Sequence, residues 1–231
     1  MLWTAEPDID LLAGPAVPVR AYLESITLTQ FMGDIAYAYP GFSRAVLPDQ
    51  PHTGLPSQWG LWPNVEIPLK EPLVGNQKSH LLNVTRSGRD VTAVVCAYTY
   101  TSAEEDKDGQ FVVPGQWGNQ RSPNPGISAY LVKMTAPERE PAHALPPQKG
   151  PASAPVDDVF DGWNITGVLK SFSLSEDEGG QEWPSFQADI ASCVDTAPDP
   201  PERRRFLIDG QHPRSDFPTL PASPGWPSTT G

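Results

Sequence analysis

The chain has 231 residues, of which 38% are hydrophobic and 19% charged, with 28 Pro and 19 Gly. So much Pro excludes a chain built wholly of regular helix and sheet, and predicts a modest core with long loops and tails. A formal net charge of −12 repels phosphate backbones and anionic lipid, which disfavours nucleic-acid binding and peripheral membrane attachment.

Residues 1–14, MLWTAEPDIDLLAG, carry no basic segment followed by an apolar one, so they are not a signal peptide. They read as an acidic arm with Trp3, Ile9, Leu11 and Leu12 as its apolar knot. No apolar run is long enough for a membrane span. A cytoplasmic protein fits this start, and so does a mature form whose leader was replaced by Met1.

Residues 15–47 carry the helical signal. Pro18 suits a first turn, and Val19, Tyr22, Leu23 and Ile26, then Thr29 or Gln30, recur at three-to-four spacing. This predicts one apolar face, with Arg20, Glu24 and Thr27 off it. Gly33 reads as a stop, Asp34 as a fresh N-cap, and IAYAY as a short second helix ended by Pro40-Gly41.

Residues 48–77 form a long Pro/Gly-rich connection, pinned by Trp59, Leu61 and Trp62. SHLLNVT and VTAVVCAYTYTS flank the turn RSGRD and predict a hairpin over 78–102. In its second strand Val91, Ala93 and Val95 share one face. Val94, Cys96, Tyr98 and Tyr100 share the other, and both faces are apolar enough to be covered. FVV (111–113), ISAYLVKM (127–134) and FDGWNITGVLKSFSL (160–174) add strands, the last with Trp163, Ile165, Gly167 and Leu169 on one face. Residues 135–156 read as a Pro/Ala insert. Beyond 175 the chain turns acidic and then Pro-rich, and reads as an extended tail in which ERRR (202–205) meets the acidic SEDEGGQE (175–182).

NVTRSGRDVTAVVCAYTY, GISAYLVKM and DGWNITGVLKSF together resemble the C-terminal sheet of the NTF2-like (SnoaL/ketosteroid-isomerase) superfamily, in particular its bacterial cell-envelope members. There a G-d-x-A-x-V-x-V-C strand precedes a G-W-x-V strand. The resemblance covers roughly residues 15–174. The 48–77 connection and the 135–156 insert depart from the compact family, and the tail lies outside it. It implies an α+β fold: a curved antiparallel sheet wrapped on N-terminal helices as a cone, with a pocket at its open end and a homodimer through the outer sheet face. The expected layout is an arm (1–14), an NTF2-like domain (15–175) and a tail (176–231) tied back to it.

Cys96 and Cys193 are the only cysteines. Two cannot complete a four-ligand zinc site, and His52, His80, His143 and His212 form no metal-binding pattern. Cys96, mid-strand among valines, is a poor nucleophile because burial raises a thiol's pKa. A Cys96–Cys193 disulfide would tie the tail to the sheet and place the protein in an oxidising compartment. Two free thiols remain the alternative, and the cytoplasm with them. NVT (83–85) and NIT (164–166) are read as chance sequons.

In the resembling enzymes a tyrosine and carboxylic acids act in the cone. The pocket candidates here are Tyr22, Tyr37, Tyr98 and Tyr130, with Glu24, Asp34 and Asp161 as nearby acids. No spacing identifies a dyad, and the absence of G-x-S-x-G, P-loop and G-x-G-x-x-G motifs leaves no nucleotide or other cofactor to expect. The expected function is therefore a non-enzymatic, exported interaction or ligand-binding module, working alone in the bacterial envelope or as a subunit of a larger assembly there. The alternative is a small-molecule isomerase or hydratase. A protein partner would meet Trp59, Trp62, Trp117, Phe217 and Trp226, since Trp is enriched at binding hot spots.

Overall fold

β4 (Asp90–Tyr98), the strongest strand in the sequence, lies at the centre of the main sheet. The computed structural model describes residues 1–50, 53–114, 124–138, 145–174 and 181–228. β4 pairs antiparallel with β3 (Lys78–Ser87) on one side and β7 (Ile127–Thr135) on the other. β8 (Asn164–Lys170) follows β7, and β1 (Leu2–Ala5) joins β3 in parallel, giving the order β1-β3-β4-β7-β8. The α+β class is as expected. The sheet is mixed because the arm supplies β1, whose Trp3 is buried. β2 (Leu73–Gly75), β5 (Ser102–Glu105) and β6 (Phe111–Val112) make a second, antiparallel sheet.

The alternation read in β4 divides the core in two. Val91, Ala93 and Val95 pack with Val132 and Met134 under α1 (Ala16–Met32). Val94, Cys96 and Tyr98 pack with Ala129 and Leu131 on the opposite face. Two bulges change the phase elsewhere. One, between Leu81 and Asn83, returns Val84 to the α1 side beside Leu81. The other, opposite Lys133 and Met134, puts Ile165 and Val168 on the α1 side and Leu169 on the other. The single face expected for Ile165 and Leu169 is thereby broken, because one extra residue inverts everything after it.

α1 corrects the expectation of an amphipathic helix. Every residue from Ala16 to Ile26 is buried, Arg20 and Glu24 included. Gly33 ends the helix in the left-handed conformation (φ 66°), Asp34 caps the next turn by accepting from the Ala36 N–H at 2.8 Å, and the short α2 (Phe42–Ala45) follows.

The C-terminal segment also departs from the expected extended tail. α3 (Phe186–Asp195) and α4 (Pro201–Ile208) pack on the sheet face away from α1. Pro201 opens α4, where its missing N–H has no intrahelical partner to lose. Arg203 in α4 pairs with Asp216 at 2.9 Å, within the C-terminal segment. Beyond α4 the chain runs as a strap: His212 pairs with Phe111, Ser223 with Leu2, and Trp226 with Ala152. The sheet face away from α1, through which the homodimer is expected, carries the chain's own α3, α4 and Phe217.

Candidate functional site

The Cys96–Cys193 disulfide fastens α3 to β4 and closes a separation of 97 residues, with Cα atoms 5.3 Å apart. Both cysteines are fully buried. Tyr98, two residues along the same face, donates its hydroxyl to the Cys193 carbonyl at 3.1 Å and shares a hydrogen bond with Thr196 at 3.0 Å.

The four pocket candidates are not brought together. Tyr98 lies on the α3 side of the sheet, and Tyr22 on the α1 side. Tyr22 is fully buried and donates to the Leu61 carbonyl at 2.9 Å; burial pushes its pKa well up. Tyr130 stands edge-on to Phe172, and burial pushes its pKa up to about 12. Tyr37 is exposed. Of the acids, Asp34 is spent on its cap. Asp161 sits at φ 47°, its pKa raised first by burial and then by Asp158.

The expected binding tryptophans divide in the same way. Phe217 and Trp226 are fully buried and are struts of the core, which corrects their assignment to a contact surface: apolar rings this large gain more from desolvation than an exposed tail could supply. Trp62 is half-buried against Phe42 and donates to the Leu47 carbonyl at 3.0 Å. Trp59 is half-buried, and Trp117 lies outside the described residues.

Three polar constellations concentrate the chemistry. The deepest surrounds Glu24. Its carboxylate accepts from the Trp3 indole at 2.7 Å, the Tyr39 hydroxyl at 2.7 Å and the Trp226 indole at 2.8 Å. One turn earlier, Arg20 lies 4.2 Å from the Trp226 ring centroid and donates to the carbonyls of Leu11, Gln148 and Pro224. Arm, insert and strap thus converge on two side chains of α1. Burial, then the neighbouring Glu24, pushes the Tyr39 pKa far up. Donors without substrate access make this a clasp.

The second constellation joins Ser57, Lys133 and Glu182. Lys133 Nζ lies 2.6 Å from Glu182 and 3.3 Å from Ser57 Oγ. Glu182 also accepts the Ser57 N–H at 3.0 Å. Burial opposes its ionisation, yet the Lys133 and Ser57 donors outweigh that and hold its pKa below the usual range. The Ser57 hydroxyl donates to the same carboxylate at 2.5 Å, so one Glu182 oxygen is shared between Ser57 and Lys133. This set tethers the long connection to β7.

The third is at the surface. The Thr4 hydroxyl and His80 Nδ1 are 2.9 Å apart, and His80 Nε2 is 3.2 Å from Glu6. It orders the arm where β1 ends. Beyond it opens a cleft of about 500 Å³ between the arm (Glu6, Asp8, Ile9, Asp10) and β3 (Leu82, Asn83, Val84), floored by the start of α1. A smaller cleft of about 350 Å³ lies beside Leu47, Gln58 and Thr166. None of the four candidate tyrosines lines either one.

The arm cleft escaped sequence reasoning, although the acidic arm and the SHLLNVT strand were both in view. Their juxtaposition depends on the parallel β1–β3 pairing, which no local pattern announces. Among the described residues, no three His, Cys, Asp or Glu side chains are placed to hold a metal ion. Compared with known proteins, the chain matches no family model, and none of the curated proteins or solved structures gives a match.

Proposed function

We propose that the chain is a non-enzymatic interaction module of an exported bacterial protein, descended from the NTF2-like group and working in an envelope assembly. The observation that carries this reading is where the polar groups are spent. Tyr22, Tyr39, Tyr98 and Glu24 are divided between the two faces of the sheet and engaged in internal hydrogen bonds, while the larger of the two clefts described above lies outside the core, at the arm. The Cys96–Cys193 bond supports export, since such bonds persist in oxidising compartments. The order of helix, long connection and antiparallel strands supports the kinship.

The test is selection of a displayed random-peptide library on the oxidised protein, run beside turnover assays on an enolisable ketone and an enoyl thioester. Saturable binding of enriched peptides, lost on unfolding, and no turnover are expected. Turnover abolished by Tyr22→Phe or Tyr130→Phe would overturn the reading.

A further inference from the structure

Among the described residues, strand edges are bonded at points by other segments of the chain. At β1, Trp3 N–H donates to Ser223 O at 2.6 Å; at β8, Leu47 N–H donates to Ile165 O at 3.1 Å. At β6, Phe111 and His212 exchange two backbone bonds of 2.8 and 2.9 Å. An uncovered edge is a template for another strand, and folded proteins ordinarily block it. β3 keeps one such stretch. β1 pairs with it only as far as Leu81, and Glu6 N–H makes the last bond, to Leu81 O at 3.1 Å. The hairpin register closes Ser87 against Asp90 and pairs Thr85 with Thr92. By alternation, the backbone groups of Val84 and Arg86 face away from β4. Among the described residues, none hydrogen-bonds those groups on the outer side.

This open stretch, about 13 Å from Leu82 to Arg86 at the usual strand rise, borders the arm cleft. Leu82, Asn83 and Val84 form one wall, and Glu6, Asp8 and Asp10 face them with no Lys or Arg in the lining. We infer that an extended segment of a partner protein, with Lys or Arg at alternate positions, adds to the sheet here in the line that β1 vacates. Main-chain bonds to Val84 and Arg86 supply the pairing, and the arm's carboxylates select the charge. This rests on the interaction-module reading and names its partner by chemistry.

The probe is acetyl-Lys-Val-Lys-Val-Lys-Val-amide, with its Glu-Val counterpart as control, followed by amide hydrogen exchange on the intact oxidised protein. Binding of the Lys-Val peptide slows exchange at Val84 and Arg86, and the Glu-Val peptide does not bind. Asp8→Asn with Asp10→Asn, both exposed, weakens binding about fivefold without altering the Tm. N-methylating the alternate peptide amides in one register abolishes binding, and in the other register spares it. Unchanged exchange at Val84 and Arg86, or equal binding of the Glu-Val peptide, overturns the inference. If library-selected peptides protect another surface instead, only this cleft is refuted. If no peptide binds anywhere, the interaction-module reading falls with it.

Discussion

Trp226 and Glu24, 202 positions apart in sequence, share a buried hydrogen bond of 2.8 Å from the indole Nε1 to Oε2. The same carboxylate holds Trp3 from the N-terminal arm and Tyr39 from the turn after α1. A single side chain of a central helix therefore closes both ends of the chain around itself.

Glu24→Gln leaves one of these donors facing an amide N–H. It is expected to destabilise the protein by about 3 kcal/mol, in the range for breaking a buried charged hydrogen-bond set. Trp226→Ala removes the ring and its contact with Arg20, and is expected to cost about 3–5 kcal/mol. Urea unfolding of each single variant and of the pair checks this. The double variant should lose less than the sum, because both changes break one network.

Removing the disulfide with Cys96→Ala and Cys193→Ala should cost about 2–5 kcal/mol. Thiol titration of the denatured wild-type protein without reductant should find no free thiol. Two titratable thiols would remove the bond and the export argument together.

Deleting residues 198–231 takes away α4, Phe217 and Trp226, removes the Asp199 partner of the Tyr100 hydroxyl, and uncovers the Arg20–Glu24 pair. The expected result is loss of cooperative unfolding and of sharp amide NMR dispersion. A truncated chain with an unchanged melting transition would mean that the strap is not part of the fold.

The pH limits follow from two sets of groups. Tyr39, Tyr100 and Tyr130 all have raised pKa values, with burial the first cause in each. The folded state holds these protons more tightly than the unfolded chain. Their contribution is therefore complete below pH 10 and is lost as pH rises from 10 through the folded values, about 12 for Tyr130. Glu182 has the opposite sign. Its folded pKa is depressed, so its contribution is complete above the ordinary value of 4.5 and is lost as pH falls through the lower folded one. Melting temperatures measured across pH should fall at both ends. Lys133→Met should weaken the acid limb, and spectrophotometric phenolate titration should show Tyr39, Tyr100 and Tyr130 ionising only at pH values above the ordinary tyrosine range.

The local signals of the chain were legible. β4 alternates cleanly, the Gly88 turn joins it to β3, and Gly33 and Asp34 mark the end of α1 and the start of the next turn, because these features depend on residues a few positions apart. Even the pairing of Cys96 with Cys193 was within reach, since two cysteines allow one intramolecular bond.

What the tertiary structure alone decided is how the irregular segments are used. Low apolar content and many prolines made residues 1–14 look like an arm, 135–156 like an insert and 176–231 like an extended tail, yet the arm buries Trp3 and the C-terminal segment buries Phe217 and Trp226. Arg20 and Glu24 looked solvent-facing because charged residues ordinarily are, and only long-range donors and carbonyls make their burial tolerable. The bulges at Leu82 and Thr166 leave no mark in composition, although each turns the following residues over. The arm cleft exists because β1 stops at Ala5 while β3 continues to Ser87, and that difference in length is set by a parallel pairing between segments more than 70 positions apart. Periodicity reports which neighbours share a face. It carries no information on which distant segment will supply the hydrogen bonds that a face or an edge requires.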